Sequence, residues 1–303
     1  MGAGRVAAVD GMTPTFALSY TTPFFGADPD RLVTIARHAE QCGFDGFYVP
    51  EHVAVYPGAA LGAWTIPPTL PFPDPLDILT FAAAATDRIL LGTGVLLLPY
   101  HHPVTLAKRL ATIDALSKGR MRLLTIGVGA LPGEAAAVGV DYATRGRRAD
   151  EAIDVLRRLW AENEDGATFH GDFFDLENVF SYPKPLAPGG LPIHIGGAST
   201  AAARRAGRRG DGWMPGGSLR DEERKALWDL VRTTAVEAGR DPDAIAYSRM
   251  GSLEISEEDV ESLAAQGVTR IVVGVPDGEP DEQCEHLTAF AERFGLGSAA
   301  DRA

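Results

Sequence analysis

The chain has little cysteine, a shortage of positive charge and no long apolar run, and each lack removes a class of function. Only Cys42 and Cys284 occur in 303 residues. They fall in predicted helices far apart in sequence, so neither a disulfide framework nor a CxxC metal site is expected, and a reducing cytoplasm fits best. Acidic residues outnumber basic ones by 41 to 28, a formal net charge of −13. Nucleic-acid binding is driven by Lys and Arg displacing counterions from phosphates, so no nucleic-acid partner is expected. No window reaches the ~18 apolar residues of a membrane span, and the opening MGAGRVAAVDGMTPT lacks the apolar run of a signal peptide. No membrane association is expected either. The patterns HExxH, HxH, GxSxG and GxxxxGK[ST] are all missing, which speaks against a zinc hydrolase, an elbow-type serine hydrolase and a P-loop NTPase.

What is present is a rhythm, clearest in RILLGTGVLLLPYHHP from Arg88 to Pro103. Ile89, Leu90 and Leu91 form a short apolar run without polar alternation, as in a parallel strand covered on both faces. Gly92 and Gly94 then break the strand, either because something approaches the backbone closely or because strand and helix pack tightly. From Pro103 the pattern turns helical, with Leu106, Leu110, Ile113 and Leu116 on one stripe and Lys118-Gly119 as the stop. The same alternation predicts strands at 15–19, 47–49, 121–126, 193–195, 212–214, 245–253 and 269–275. Helices are predicted at 30–41, 76–86, 145–160, 200–209, 221–238, 257–266 and 281–294, the first stopped by Gly43. Eight strand–helix units predict an α/β fold, a (β/α)8 TIM barrel over residues 14–294, with 1–13 and 295–303 as flexible tails. Loop excursions interrupt it at the C-terminal mouth: the proline-rich, aperiodic stretch from Val53 to Pro75, an irregular run after Gly127-Val128-Gly129, and a small hairpin around 168–176. Arg147 and Glu151, at i and i+4, are expected to pair.

The residues able to carry chemistry fall where strands end. Glu51 and His52 follow strand two directly, at the catalytic edge of such a sheet. His52 is therefore the candidate catalytic group, against its reading as a solvated loop histidine. His101 and His102 are adjacent, so their side chains diverge, and His101 serves as the reference histidine for the mouth. His194, between two isoleucines, reads as a packed, hydrogen-bonded residue. Gly196-Gly197-Ala198-Ser199 joins strand five to a helix and exposes successive N–H groups at its N-terminus, a phosphate-ready turn or simply a tight one. Arg204 and Arg205 follow one turn on and could add a charge-assisted contact. Glu134 reads as a rim charge.

Taken together, GFDGFYVPEH (43–52), DPL (74–76), the run from Arg88 to Gly129, RGRRADEAIDVLRRLW (145–160), FHGDFF (169–174), PKPL (183–186) and LPIHIGGAS through RRGDGWMP (191–215) resemble the luciferase-like superfamily. Within it, they are similar to the deazaflavin (coenzyme F420)-dependent oxidoreductases, and the likeness spans most of the chain. The resemblance implies a cofactor lying across the barrel mouth and a non-proline cis peptide at Gly94-Val95 behind its ring. It places His52 beside that ring and the cofactor phosphate on Gly196, Gly197 and Arg204, with Ala198 and Ser199 completing the turn. The implied reaction is hydride transfer between coenzyme F420 and a small-molecule substrate, in a homodimer. An FMN-dependent monooxygenase of the same fold, or a cofactor-binding barrel without turnover, are the alternatives. Two departures disfavour a sugar phosphate as substrate. Ala130-Leu131-Pro132 stands where sugar-phosphate-oxidising relatives carry a carboxylate, and His194 replaces a bulky apolar residue.

Overall fold

Eight parallel strands close on themselves in the computed structural model, which describes residues 13–21, 25 and 27–297. They are β1 (Thr15–Ser19), β2 (Gly46–Val49), β3 (Leu90–Leu97), β4 (Met121–Gly127), β5 (Ile193–Gly196), β6 (Gly212–Met214), β7 (Ala246–Gly251) and β8 (Arg270–Gly274), hydrogen-bonded in that order, with β8 returning to β1. Around them run α1 (Pro29–Cys42), α2 (Pro75–Ala85), α3 (Pro103–Leu116), α4 (Pro132–Ala137), α5 (Arg145–Trp160), α6 (Thr200–Arg209), α7 (Asp221–Glu237), α8 (Glu257–Ala265) and α9 (Pro280–Phe294). The predicted (β/α)8 barrel is therefore the fold. The expected tails lie outside the described residues except at their inner ends. There Gly295 takes the left-handed C-cap of α9, and Leu296 packs on the core. Among the described residues no helix is long and apolar enough to cross a membrane.

The outer face of each strand meets the apolar stripe of a helix. On α5, Ala149, Ala152, Ile153, Leu156 and Trp160 are all at most 3% exposed, and full burial of a Leu or Ile side chain contributes about 1.5–3 kcal/mol. Polar groups close the lower end. Arg120, 8% exposed, donates to the carbonyls of Ala83, Thr86, Ile89 and Ser117 and to the Thr86 hydroxyl, so one guanidinium ties the end of α2, the start of β3 and the end of α3 together.

Inside the barrel the register sets layers of four residues from alternate strands. Ala17, Gly92, His194 and Ser248 form one layer, with Tyr48, Thr125, Met214 and Val272 above it. The layer facing the mouth is Ser19, Gly94, Gly196 and Met250, and its members are half-buried or exposed, whereas the two below are buried. Gly92 is required by this packing. A Cβ there would lie 2.4 Å from the Leu123 Cβ and 2.5 Å from its carbonyl oxygen.

Four local expectations are corrected. The glycines do not break strand three, because β3 runs through both to Leu97, with irregular register between Leu91 and Gly92 and between Gly94 and Leu96 absorbing the misfit. The excursion after β2 is ordered around its own hairpin, Ala60–Leu61 paired antiparallel with Trp64–Thr65, and a small apolar cluster of Ala59, Ile66 and Leu131. The run after Gly129 contains α4. Arg147 pairs with Asp172 at 3.0 Å rather than with Glu151, because the hairpin of Ala167–His170 and Asp175–Val179 packs there, and Glu151 accepts the backbone N–H groups of Asp172 and Phe173 at 2.9 Å.

Candidate active site

The chain leaves β2 through Pro50 into two consecutive ionisable side chains, and each is bound to a partner from a different loop. Glu51 is 5% exposed and joins the end of β2 to the end of β3. Its Oε2 accepts the Leu97 N–H at 2.5 Å, its Oε1 lies 2.9 Å from His101 Nε2, and its own N–H donates to the Val95 carbonyl at 3.2 Å. His101 is thus a structural partner of a buried carboxylate, not a bystander suited to be a reference.

His52 is bound to Glu134. Nδ1 lies 3.1 Å from Oε2 and 3.2 Å from Oε1, and the edge of Phe72 meets the imidazole with ring centroids 4.9 Å apart. The His52 side chain retains 13% exposure while that of Glu134 has none. Glu134 is therefore not a rim charge. The excursion after β2 folds across α4, with Tyr56 lying where a side chain at Gly133 would sit, and this brings the Val53 and Ala54 N–H groups to Oε1 at 2.7 and 3.4 Å. A local signal for this helix did exist, since Pro132 occupies its first turn and Glu134 is the acidic residue of that turn. Nothing local foretold the donors, which lie about 80 residues upstream.

Tyr100, in the stretch from Arg88 to Pro103, lies against Gly129, where a Cβ would fall 2.1 Å from its hydroxyl oxygen. Burial, with the Glu134 charge adding, pushes the phenol up to about 12, so it stays protonated at neutral pH. Its hydroxyl has no hydrogen-bond partner among the described residues.

The floor beside these groups is poor in side chains. The Gly94–Val95 peptide is cis, as the resemblance implies. Val95 methyl carbons come within 2.7 and 2.5 Å of where Cβ atoms would be at Gly127 and Gly196, so the two glycines let a single valine cover the barrel centre. At the β5–α6 turn Gly197 has φ +118°, donates to the Met214 carbonyl at 3.2 Å, and accepts from Trp213 Nε1 at 3.1 Å. Ala198 is half-buried and Ser199 is exposed, with the Ser199 hydroxyl capping α6 at the Ala202 N–H. Of the two arginines one turn on, Arg204 is exposed and free of any ion pair among the described residues. Arg205 is buried against Asp150 Oδ1 at 2.7 Å and the Gly146 carbonyl at 2.9 Å.

Two predicted histidines do not join the cluster. His102 meets the edge of Phe174, and His194 lies two layers below the mouth. His194 is packed as expected but not fully hydrogen-bonded, because its Nδ1 has no partner among the described residues. A cavity of about 450 Å3 lies at the opposite end of the barrel, lined by Thr15, Phe16, Asp45, Arg88, Leu90 and Phe294, and contains none of the candidate residues.

The Glu51 contacts give a stability prediction. Glu51→Ala would strand the Leu97 N–H in the interior, and such an orphaned group costs about 1–3 kcal/mol. Urea unfolding should show that loss, while Glu51→Gln, which keeps an acceptor for Leu97 and offers a donor to His101, should lose much less. Equal losses in the two variants would show that the joint is not held by these hydrogen bonds.

Comparison with known proteins agrees with the fold. Residues 9–299 match the family described as luciferase-like monooxygenase. An uncharacterized protein of Mycobacterium tuberculosis is 31% identical over 276 residues, 86% of this chain and 93% of that one. Among solved structures, a monooxygenase from Streptomyces bottropensis superposes with a TM-score of 0.73 at 23% identity, covering 92% of this chain and 98% of its own. An F420-dependent secondary alcohol dehydrogenase, in complex with an F420-acetone adduct, does so with 0.71 at 18% identity, covering 94% and 99%. At these identities the two structural likenesses are of fold.

Proposed function

The chain belongs to the luciferase-like monooxygenase family, and from that premise we propose that it is an oxidoreductase moving a hydride between coenzyme F420 and a small organic substrate, with His52 handling the proton. The observation that carries this reading is the His52–Glu134 pair standing beside a floor made of Gly94, Val95, Gly127 and Gly196. Such a floor suits a flat ring system, because it offers backbone and one valine where most barrels present side chains. The residues of the next turn suit the phosphate. Gly196, Gly197, Ala198 and Ser199 lead into the N-terminus of α6, where helix dipole and amide groups favour an anion, and exposed Arg204 can add a charge.

When bound, the deazaflavin supplies the two-electron hydride chemistry. The chain supplies the proton chemistry and the orientation. A substrate that gives up a hydride from a carbon bearing O–H or N–H must also release that proton, and the reverse reaction must return it. The His52 nitrogen remote from Glu134 is the base that takes it and the acid that gives it back. Arg145 donates to the carbonyls of Gly129 and Tyr142, and Arg148 to that of Pro99, so these guanidinium groups hold the backbone around the mouth.

Titration of the purified protein with each cofactor tests the choice. Coenzyme F420 is expected to bind and FMN to bind much more weakly. Tighter FMN binding would turn the reading to a monooxygenase, as in the Streptomyces relative. Binding of F420 without turnover of any alcohol or other hydride donor would leave a cofactor carrier.

A further inference from the structure

We propose that Glu134 is the positioning residue of this site: its carboxylate holds His52 as the Nδ1–H tautomer, leaving Nε2 for the proton, and the same carboxylate docks the excursion at Val53 and Ala54. The proposal deepens the reading of His52 as the proton-handling group and shares that premise for its effect on turnover.

The argument is one of donors and acceptors. An ionised carboxylate only accepts. Oε1 takes the Val53 N–H at 2.7 Å and the Ala54 N–H at 3.4 Å, and both oxygens face His52 Nδ1 at 3.1–3.2 Å. A neutral imidazole meeting that acceptor must put its one proton on Nδ1, which leaves Nε2 bare and able to accept. When Nε2 takes a proton, the imidazolium lies against a carboxylate with no solvent exposure, in a setting where charge-assisted hydrogen bonds are strong. Carboxylate–imidazole pairs fix tautomer and ring orientation by the same logic elsewhere. The Phe72 edge on the ring restricts its rotation. Val53 is the residue after His52, so the carboxylate grips the imidazole and the backbone just beyond it at once. Docking of the excursion and orientation of the histidine are thus a single event.

The neighbouring pair provides a contrast within the same mouth. Glu51 contacts His101 through Nε2 and gives its other oxygen to a strand N–H, so it fixes the opposite ring nitrogen and serves the sheet.

Glu134→Gln separates the roles. The amide oxygen stays in the Oε1 position with its two lone pairs taken by the Val53 and Ala54 N–H groups, while the nearer contact to Nδ1, at Oε2, becomes an N–H2 donor, so His52 is driven to the Nε2–H tautomer. In 15N NMR of protein labelled at histidine, with His52 assigned by its loss in His52→Gln, the wild type is expected to show Nδ1 protonated and Nε2 bare, and Glu134→Gln the reverse. Turnover should fall by roughly 10² or more, as for loss of a general acid–base group, with the F420 dissociation constant unchanged within a factor of about two. Glu134→Asp, which keeps a carboxylate, should recover the wild-type tautomer and part of the rate. Reversal of the tautomer with full turnover would uphold the positioning role and remove His52 from the reaction. A wild-type His52 carrying its proton on Nε2 at neutral pH overturns the proposal, needs no variant, and holds whatever the enzyme turns over.

Discussion

Replacing His52 with alanine is expected to lower turnover by roughly 10² to 10⁴, the usual contribution of a positioned general acid–base group. Cofactor affinity should change little, because the groups suited to the phosphate belong to β5 and α6, whereas His52 follows β2. The effect should fall on kcat and on kcat/KM alike, the signature of an interaction made in the transition state. His101→Ala is the wrong comparison, since it would remove the partner of buried Glu51. His286, exposed on α9, is the appropriate one, and His286→Ala should leave the rate intact. A His52→Ala protein with full activity and lost cofactor would assign the imidazole to binding and move the search for the proton carrier to Tyr100, whose phenol is protonated and without a hydrogen-bond partner among the described residues.

The second large effect belongs to the barrel core. Burial, reinforced by the nearby Arg270 charge and opposed by Asp211, lowers the His194 pKa to about 4. In the unfolded chain the imidazole titrates near ~6.5. Above that pH the residue is neutral in both states and costs nothing. As pH falls from about 6.5 to about 4, only the unfolded chain takes up the proton, so stability is lost across that window, by roughly 3 kcal/mol in all. Below about 4 the folded protein protonates too and the loss levels off. Urea unfolding at pH 7.5 and pH 4.5, for wild type and His194→Leu, isolates this contribution, because the titrating carboxylates are common to both proteins. The variant should lose less stability on acidification by about that amount. Parallel acid losses would mean that the folded protein already accommodates a charged His194.

The fold was legible because each strand is short, apolar and punctuated. Gly43 and Lys118-Gly119 do stop α1 and α3 in left-handed conformations, as their positions predict. The glycines of strand three misled because a glycine can mark either an end or a tight passage, and only the facing Leu123 shows that Gly92 is a passage. Arg147 and Glu151 had the right spacing for a pair, but a hairpin from elsewhere in the sequence supplied competitors. Glu134 could not be read from its surroundings either. Its carboxylate is buried by a loop about 80 residues away, and a one-dimensional pattern carries no sign of that. His52 was legible as a position, just beyond a strand end, while its partner was not.

The excursion after β2 has a consequence for how such proteins diversify. Its hairpin and its cluster of Ala59 and Ile66 meet the start of α4 through Leu131, its Tyr56 lies against Gly133, and its first residues are gripped by Glu134. An element with its own small core and these attachments gathered on one short helix behaves as a cassette. Its length and lining can drift, or be exchanged between homologues by design, while the barrel beneath keeps its layers, provided that Leu131, Gly133 and Glu134 stay in place to receive it. New substrate preferences can then arise without re-engineering the scaffold that holds the redox chemistry.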